Sequence, residues 1–184
     1  MIRRNVKLIL LIGSLLVCLA SCGYHFTGEG QGPKPGLKCI AIPVFVNKTT
    51  EPNAGAIFAA ALRNEFIQKG NMSVVSVEDA EAVFIGVVSN IHIIPVAHNP
   101  VTQVQNQVTV VNRLVITVDI RCEDKKSHKV LWRDASMHYQ KIYKVNDNPL
   151  EPNPIVGFEN REAALDVVAE EIASRIHDRF LSNF

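Results

Sequence analysis

An excess of charge of either sign is missing from this sequence: 19 Lys and Arg stand against 18 Asp and Glu. Such a chain offers no broad basic field, so nucleic acid is not an expected partner. Metal-ligand spacing is also missing. His25, His92, His98, His128, His138 and His177 include no HExxH pair and none that meets a cysteine at zinc-site spacing. The sequence has no GxSxG and no Cys-His signature for a nucleophile. Gly28, Gly30 and Gly32 are not spaced as a phosphate loop, and no strand precedes them. No metal, no cofactor and no enzymatic reaction are therefore expected. Neither an internal repeat nor a second domain is visible. The one long apolar run, Leu8 to Ala20, falls short of the roughly 20 residues a spanning helix needs.

What is present begins with that run. Arg3, Arg4 and Lys7 precede it without an acid, and small residues follow it, the order of a secretory signal that is removed. Leu19-Ala20-Ser21-Cys22 resembles the bacterial lipobox, which implies cleavage before Cys22 and acylation of that cysteine. One acyl chain holds a protein only marginally, whereas several on one cysteine anchor it stably. Gly23 follows, not the Asp that retains such proteins at the inner membrane, so the periplasmic face of an outer membrane is the expected location. Loss of residues 1–21 removes three basic residues and no acid, leaving 16 Lys and Arg (19 less 3) against 18 acids, a balance of −2. Cys18 goes with the signal. Of the remaining cysteines, Cys39 and Cys122 could bond in an oxidising periplasm or stay as two small buried residues on strands.

The chain divides into a signal at 1–21, a flexible Gly- and Pro-rich tether at 22–36 and one domain at 37–184. Lys38 to Val46 is a short β-branched run closed by turn residues. Ile57, Phe58, Ala61, Leu62 and Phe66 recur at helical spacing, with Gly70 placed to end the helix. Met72 to Val77 reads as a brief extended piece. Three long strands are expected at 82–95, 107–122 and 129–143. In the middle one Leu114, Ile116, Val118, Ile120 and Cys122 alternate with Arg113, Thr117, Asp119 and Arg121, the pattern of a sheet covered on one face. Leu165, Val168, Ile172, Ile176 and Phe180 form the stripe of a last helix. The fold class is α+β: a two-layer sandwich of order β-α-β-β-β-α, with a four-stranded mixed sheet and two helices on one face.

A crossover helix between parallel strands would place the segments at 46–53, 97–107 and 146–160 at one end of the domain, and the DKKSH turn and the tether at the other. Lys48, Arg113, Lys141, Lys144 and Arg161 would gather at the first end, where cationic groups could hold a phosphate. Glu51, Asp147, Glu151, Glu159 and Glu162 share that end and could neutralise them as surface pairs.

The residues as a set resemble the LptE-like lipopolysaccharide-assembly lipoproteins. Cys22-Gly23-Tyr24-His25-Phe26, IPVFVNKTTEP at 42–52, ALRNEFIQKG at 61–70, KVLW at 129–132 and the terminal helix carry the resemblance across the mature chain. It implies a small subunit that assembles with and plugs a large LptD-like β-barrel in the outer membrane and assists lipopolysaccharide insertion. It also implies lipopolysaccharide contact through basic residues near the loop end, although no Lys or Arg lies between Asn90 and Arg113. Two other readings stay open: an outer-membrane lipoprotein that activates a peptidoglycan synthase, whose modules also open with a strand like IAIPVF, and a periplasmic hydrolase.

Overall fold

The computed structural model describes residues 32–97, 110–146 and 154–182. Eight elements follow in order: β1 (Cys39–Ala41), β2 (Val46–Asn47), α1 (Ala54–Lys69), β3 (Ser73–Val74), β4 (Ala82–Ala97), β5 (Val110–Asp124), β6 (Val130–Asn146) and α2 (Pro154–Ser182). The class is α+β with two helices on one face of a mixed sheet, but the sheet has six strands, not four. The single strand expected at 38–46 breaks in two around Pro43, which has no N–H to donate to a ladder. The brief extended piece after Met72 is a strand of its own, parallel to β1. The order is β3-β1-β4-β5-β6, with β2 also on β4. β1 is parallel to β4, and β4-β5-β6 is an antiparallel meander.

The alternation in β5 has the expected result. Leu114, Ile116, Val118, Ile120 and Cys122 are all buried beneath the helices. Residues opposite them continue the buried face: Phe84 and Val88 on β4, Trp132 and Met137 on β6. α2 contributes its whole expected stripe, and α1 contributes Phe58, Leu62 and Phe66. Ile57 is only partly buried at the edge of this core. Gly70 ends α1 at φ 68°, with its N–H on the Phe66 carbonyl, a left-handed cap that glycine adopts without penalty.

Close backbone approach fixes where α1 sits. A Cβ on Gly55 would lie 2.1 Å from the Phe45 carbonyl oxygen, and one on Gly86 would strike the Phe45 ring at 2.4 Å. The Phe45 N–H donates to the Gly55 carbonyl at 3.2 Å, so Phe45 is clamped between helix and sheet. At about 3.3 Å per residue the three long strands reach roughly 50 Å, and β4 contains no Lys, Arg, Asp or Glu.

Two expectations about the N-terminal part are corrected. Residues 32–36, assigned by composition to a flexible tether, lie against the domain: the Gly32 N–H donates to the Leu181 carbonyl at 3.2 Å, and Lys34 pairs with Asp124 at 2.5 Å. Cys39 and Cys122 are both free thiols. β4 separates their strands and their register positions are offset, which places the Cα atoms well beyond the roughly 7 Å limit for a bridge. Burial, with Glu123 and Asp124 nearby, pushes the Cys122 thiol up to about 12, so it stays protonated and inert.

Candidate functional site

The five basic candidates spread over both faces of the sheet, with Arg113, Lys141 and Lys144 toward the end remote from the DKKSH turn and Lys48 near the middle of β4. Lys48 follows β2 and is exposed, its backbone N–H on the Val88 carbonyl at 3.0 Å. Arg113 lies on the open face between Ile94 and Ile142. Lys144 is opposite Val111, with the parity of Ile142, and shares the open face. Lys141 is opposite the buried Leu114 and so takes the helix side of β6. Along β4, the level of Lys48 (Val88) and that of Arg113 (Ile94) are six residues or about 20 Å apart. Register therefore groups Arg113 with Lys144 and leaves Lys48 and Lys141 apart.

Arg161 is engaged elsewhere. Its guanidinium grips Glu51 through two bonds, at 2.9 and 3.0 Å, and lies 5.4 Å over the Phe158 ring. This pair borders a cleft of about 320 Å³ between the start of α1 and α2, whose remaining charged groups are Glu162 and Asp166. With its one cation paired and two further carboxylates present, the cleft attracts no phosphate. The loop at 97–107 falls, apart from Ala97, outside the described residues, as do residues 147–153 of the 146–160 connection; α2 begins within the latter, at Pro154. Cys22 is also outside them. Two contacts fix the start of α2 on β6: the Asn160 side chain donates to the Lys144 carbonyl at 3.0 Å, and Gly157 lies so near the Val145 carbonyl that a Cβ would meet it at 2.9 Å.

Sequence reasoning missed the apolar side chains exposed here. Ile93, Ile94, Ile142, Ile155 and Phe158 are between 40% and 64% exposed. The signal existed for two of them, because Ile94 and Ile142 occupy positions that the sheet period assigns to the polar face. On the same open face nearer the turn stand Thr117, Asp119, Arg121, His138 and Gln140, with His138 Nδ1 and Thr117 Oγ1 2.9 Å apart. On β5 and β6 this face is polar through the middle of the strands and carries Ile142 at its far tip, while β4 lines it with Val83, Ile85 and Val87 nearer the turn and Ile94 at the tip.

A family model described as LptE, lipopolysaccharide-assembly, matches residues 37–180. The chain belongs to this family. The match spans both helices and all six strands, so the membership rests on the whole LptE domain and not on the N-terminal motif. No curated protein matches the chain. Among solved structures, a protein from Caulobacter crescentus CB15 is similar at 14% identity and TM-score 0.47, covering 76% of this chain and 89% of that one. A minor lipoprotein from Acinetobacter baumannii is similar at 12% identity and TM-score 0.46, covering 80% and 92%. Lipoprotein GNA1162 from Neisseria meningitidis is similar at 10% identity and TM-score 0.43, covering 72% and 98%. At such identities the likeness carries no functional information.

Proposed function

We propose that this LptE-family chain is an outer-membrane lipoprotein, acylated at Cys22, that seats in an LptD-like β-barrel and assists lipopolysaccharide insertion without catalysing a reaction. The family match over residues 37–180 carries the reading. The β5 and β6 part of the open sheet face supports it, since Thr117, Asp119, Arg121, His138 and Gln140 suit the polar interior of a large barrel. In this reading the apolar tip with Ile94 and Ile142 packs on the barrel wall or its loops. Arg113 and Lys144, beside that tip on the same face, are the contact for lipopolysaccharide phosphates, while Lys48 and Lys141 lie apart from them and take no part. Arg161 serves the fold through Glu51 rather than the ligand.

A mild-detergent pull-down of the mature lipoprotein tests the assembly, with a large β-barrel as the expected companion. Recovery of a peptidoglycan synthase instead would favour the other reading of the sequence. For the ligand, Arg113→Glu with Lys144→Glu should weaken lipopolysaccharide binding in a salt-sensitive way while the domain stays folded. Unchanged binding at low salt by the folded double variant would leave the tip as a partner surface alone.

A further inference from the structure

The segment between the lipidation site and the domain is half strap. Pro33 and Pro35 flank Lys34 and restrict its backbone, so less freedom is lost when Lys34 is held in place. Three contacts hold the strap. Lys34 Nζ donates to Asp124 Oδ2 at 2.5 Å, the Gly32 N–H reaches the Leu181 carbonyl at the end of α2, and Leu37 is buried in the core. The receiving Asp124 is itself built into the β5–β6 turn. Its Oδ1 accepts from the Lys126 and Ser127 N–H groups and from Ser127 Oγ at 2.9 to 3.1 Å. One carboxylate thus ties together the turn and the incoming chain. The Lys34 bond, followed by the two Ser127 bonds, holds its carboxyl well below the usual carboxylate range, so it is ionised at any physiological pH.

We infer that this strap is an orientation latch, which, until the domain seats in a barrel, turns the β5–β6 turn end toward the phospholipid surface and points the apolar tip away from it. The inference rests on the lipid-anchor reading of Cys22. Gly32 lies ten positions after Cys22, a stretch that reaches at most about 35 Å, whereas the long strands carry the tip roughly 50 Å from the turn. With the latch closed the turn end stays near the bilayer. With it open the free chain lengthens toward Lys38, and the domain can lie on its side. The surface so presented has mixed charge: Lys126, Lys129 and Lys38 are exposed, Lys125 donates to the Glu78 carbonyl, and Glu78, Asp79 and Glu81 stand on the neighbouring loop. Such a surface matches headgroups that carry both an ammonium and a phosphate. It sets direction, and the acyl chains supply the attachment.

Hydrogen exchange tests this on two forms of the protein: the lipidated protein on vesicles of phosphatidylethanolamine and phosphatidylglycerol, and the unlipidated Cys22→Ala protein in solution. The Gly32 and Leu37 amides should exchange slowly in both forms, and those of 125–129 should slow further only on vesicles, with 90–96 unchanged. Lys34→Ala should speed the strap amides several-fold in both forms and abolish the extra protection at 125–129 while the protein stays bound; Lys34→Arg should restore both. Strap amides that exchange at the rate of unstructured chain in the wild type would overturn the latch. Vesicle protection at the tip instead of the turn would overturn the orientation. Absence of acyl chains by mass spectrometry would sink the anchor reading and the membrane half with it, while the solution arm still decides whether the strap is closed.

Discussion

Gly55→Ala sets two effects of opposite sign against each other. Gly55 is in the first turn of α1, and exchanging glycine for alanine in a helix is worth up to about 1 kcal/mol in favour of the variant. Against this, the new methyl would lie 2.1 Å from the Phe45 carbonyl oxygen and 3.0 Å from its carbon. Both groups belong to backbone, so no rotamer change relieves the clash. Separating them displaces Phe45, which is buried and packs its ring over Gly86 with no space beneath. Overpacking of this kind costs about 1 to 3 kcal/mol, and stretching the Phe45 N–H to Gly55 carbonyl bond costs about 1 kcal/mol more. The net expectation is a loss of about 1 to 3 kcal/mol. For a domain of this size that lowers Tm by about 2 to 10 °C. Thermal melts of the Cys22→Ala protein followed by circular dichroism, with urea titration as a check, measure it. A variant with an unchanged or higher Tm would refute the clamp, because helix propensity would then have won.

Ile172→Ala removes a fully buried side chain from the α2 stripe and should cost about 2 to 5 kcal/mol by chemical denaturation; a wild-type midpoint would mean that this face is not core. Asp124 has a depressed carboxyl pKa, so its stabilisation is complete above the ordinary Asp value of about 4 and is lost only as pH falls through the lower folded value. Melts between neutral and strongly acidic pH should therefore decline below about pH 4, and Asp124→Asn should decline less steeply than wild type. Arg161→Leu leaves Glu51 half-buried without its partner and should lower stability, whereas Arg161→Leu with Glu51→Gln should recover part of the loss; equal melting temperatures for the single and double variants would show that the pair is idle.

Much of the fold was legible because its long elements are strictly periodic. The alternation from Leu114 to Cys122 and the stripe from Leu165 to Phe180 each assign a whole face, and every one of those residues is buried. β1, β2 and β3 are only three, two and two residues long. No period can be read over such lengths, and tertiary pairing alone makes them strands. The candidate site was legible only as to which end of the molecule it occupies. Register bulges between Val118 and Ile120, and again between Val110 and Val111, decide which face each residue of β6 meets. The Arg161 grip on Glu51 joins residues 110 positions apart, which no local pattern encodes. The strap was missed for the same reason, since the composition of residues 32–36 is that of free chain and their partners lie in a distant turn.

β4 has a consequence for how the chain reaches its folded state. Its 16 residues contain no formal charge and are rich in Val and Ile, so before folding they form the segment most prone to pair with another copy. In the finished domain β4 is interior, with β5 on one side and β1 and β2 on the other. The antiparallel neighbour arrives through the next stretch of chain, but β1 and β2 precede β4 by a whole helix and pair with it over only two residues each. One edge of the most aggregation-prone strand is thus closed late and by short contacts, and a newly made copy is most exposed to pairing with a second copy of itself in that interval.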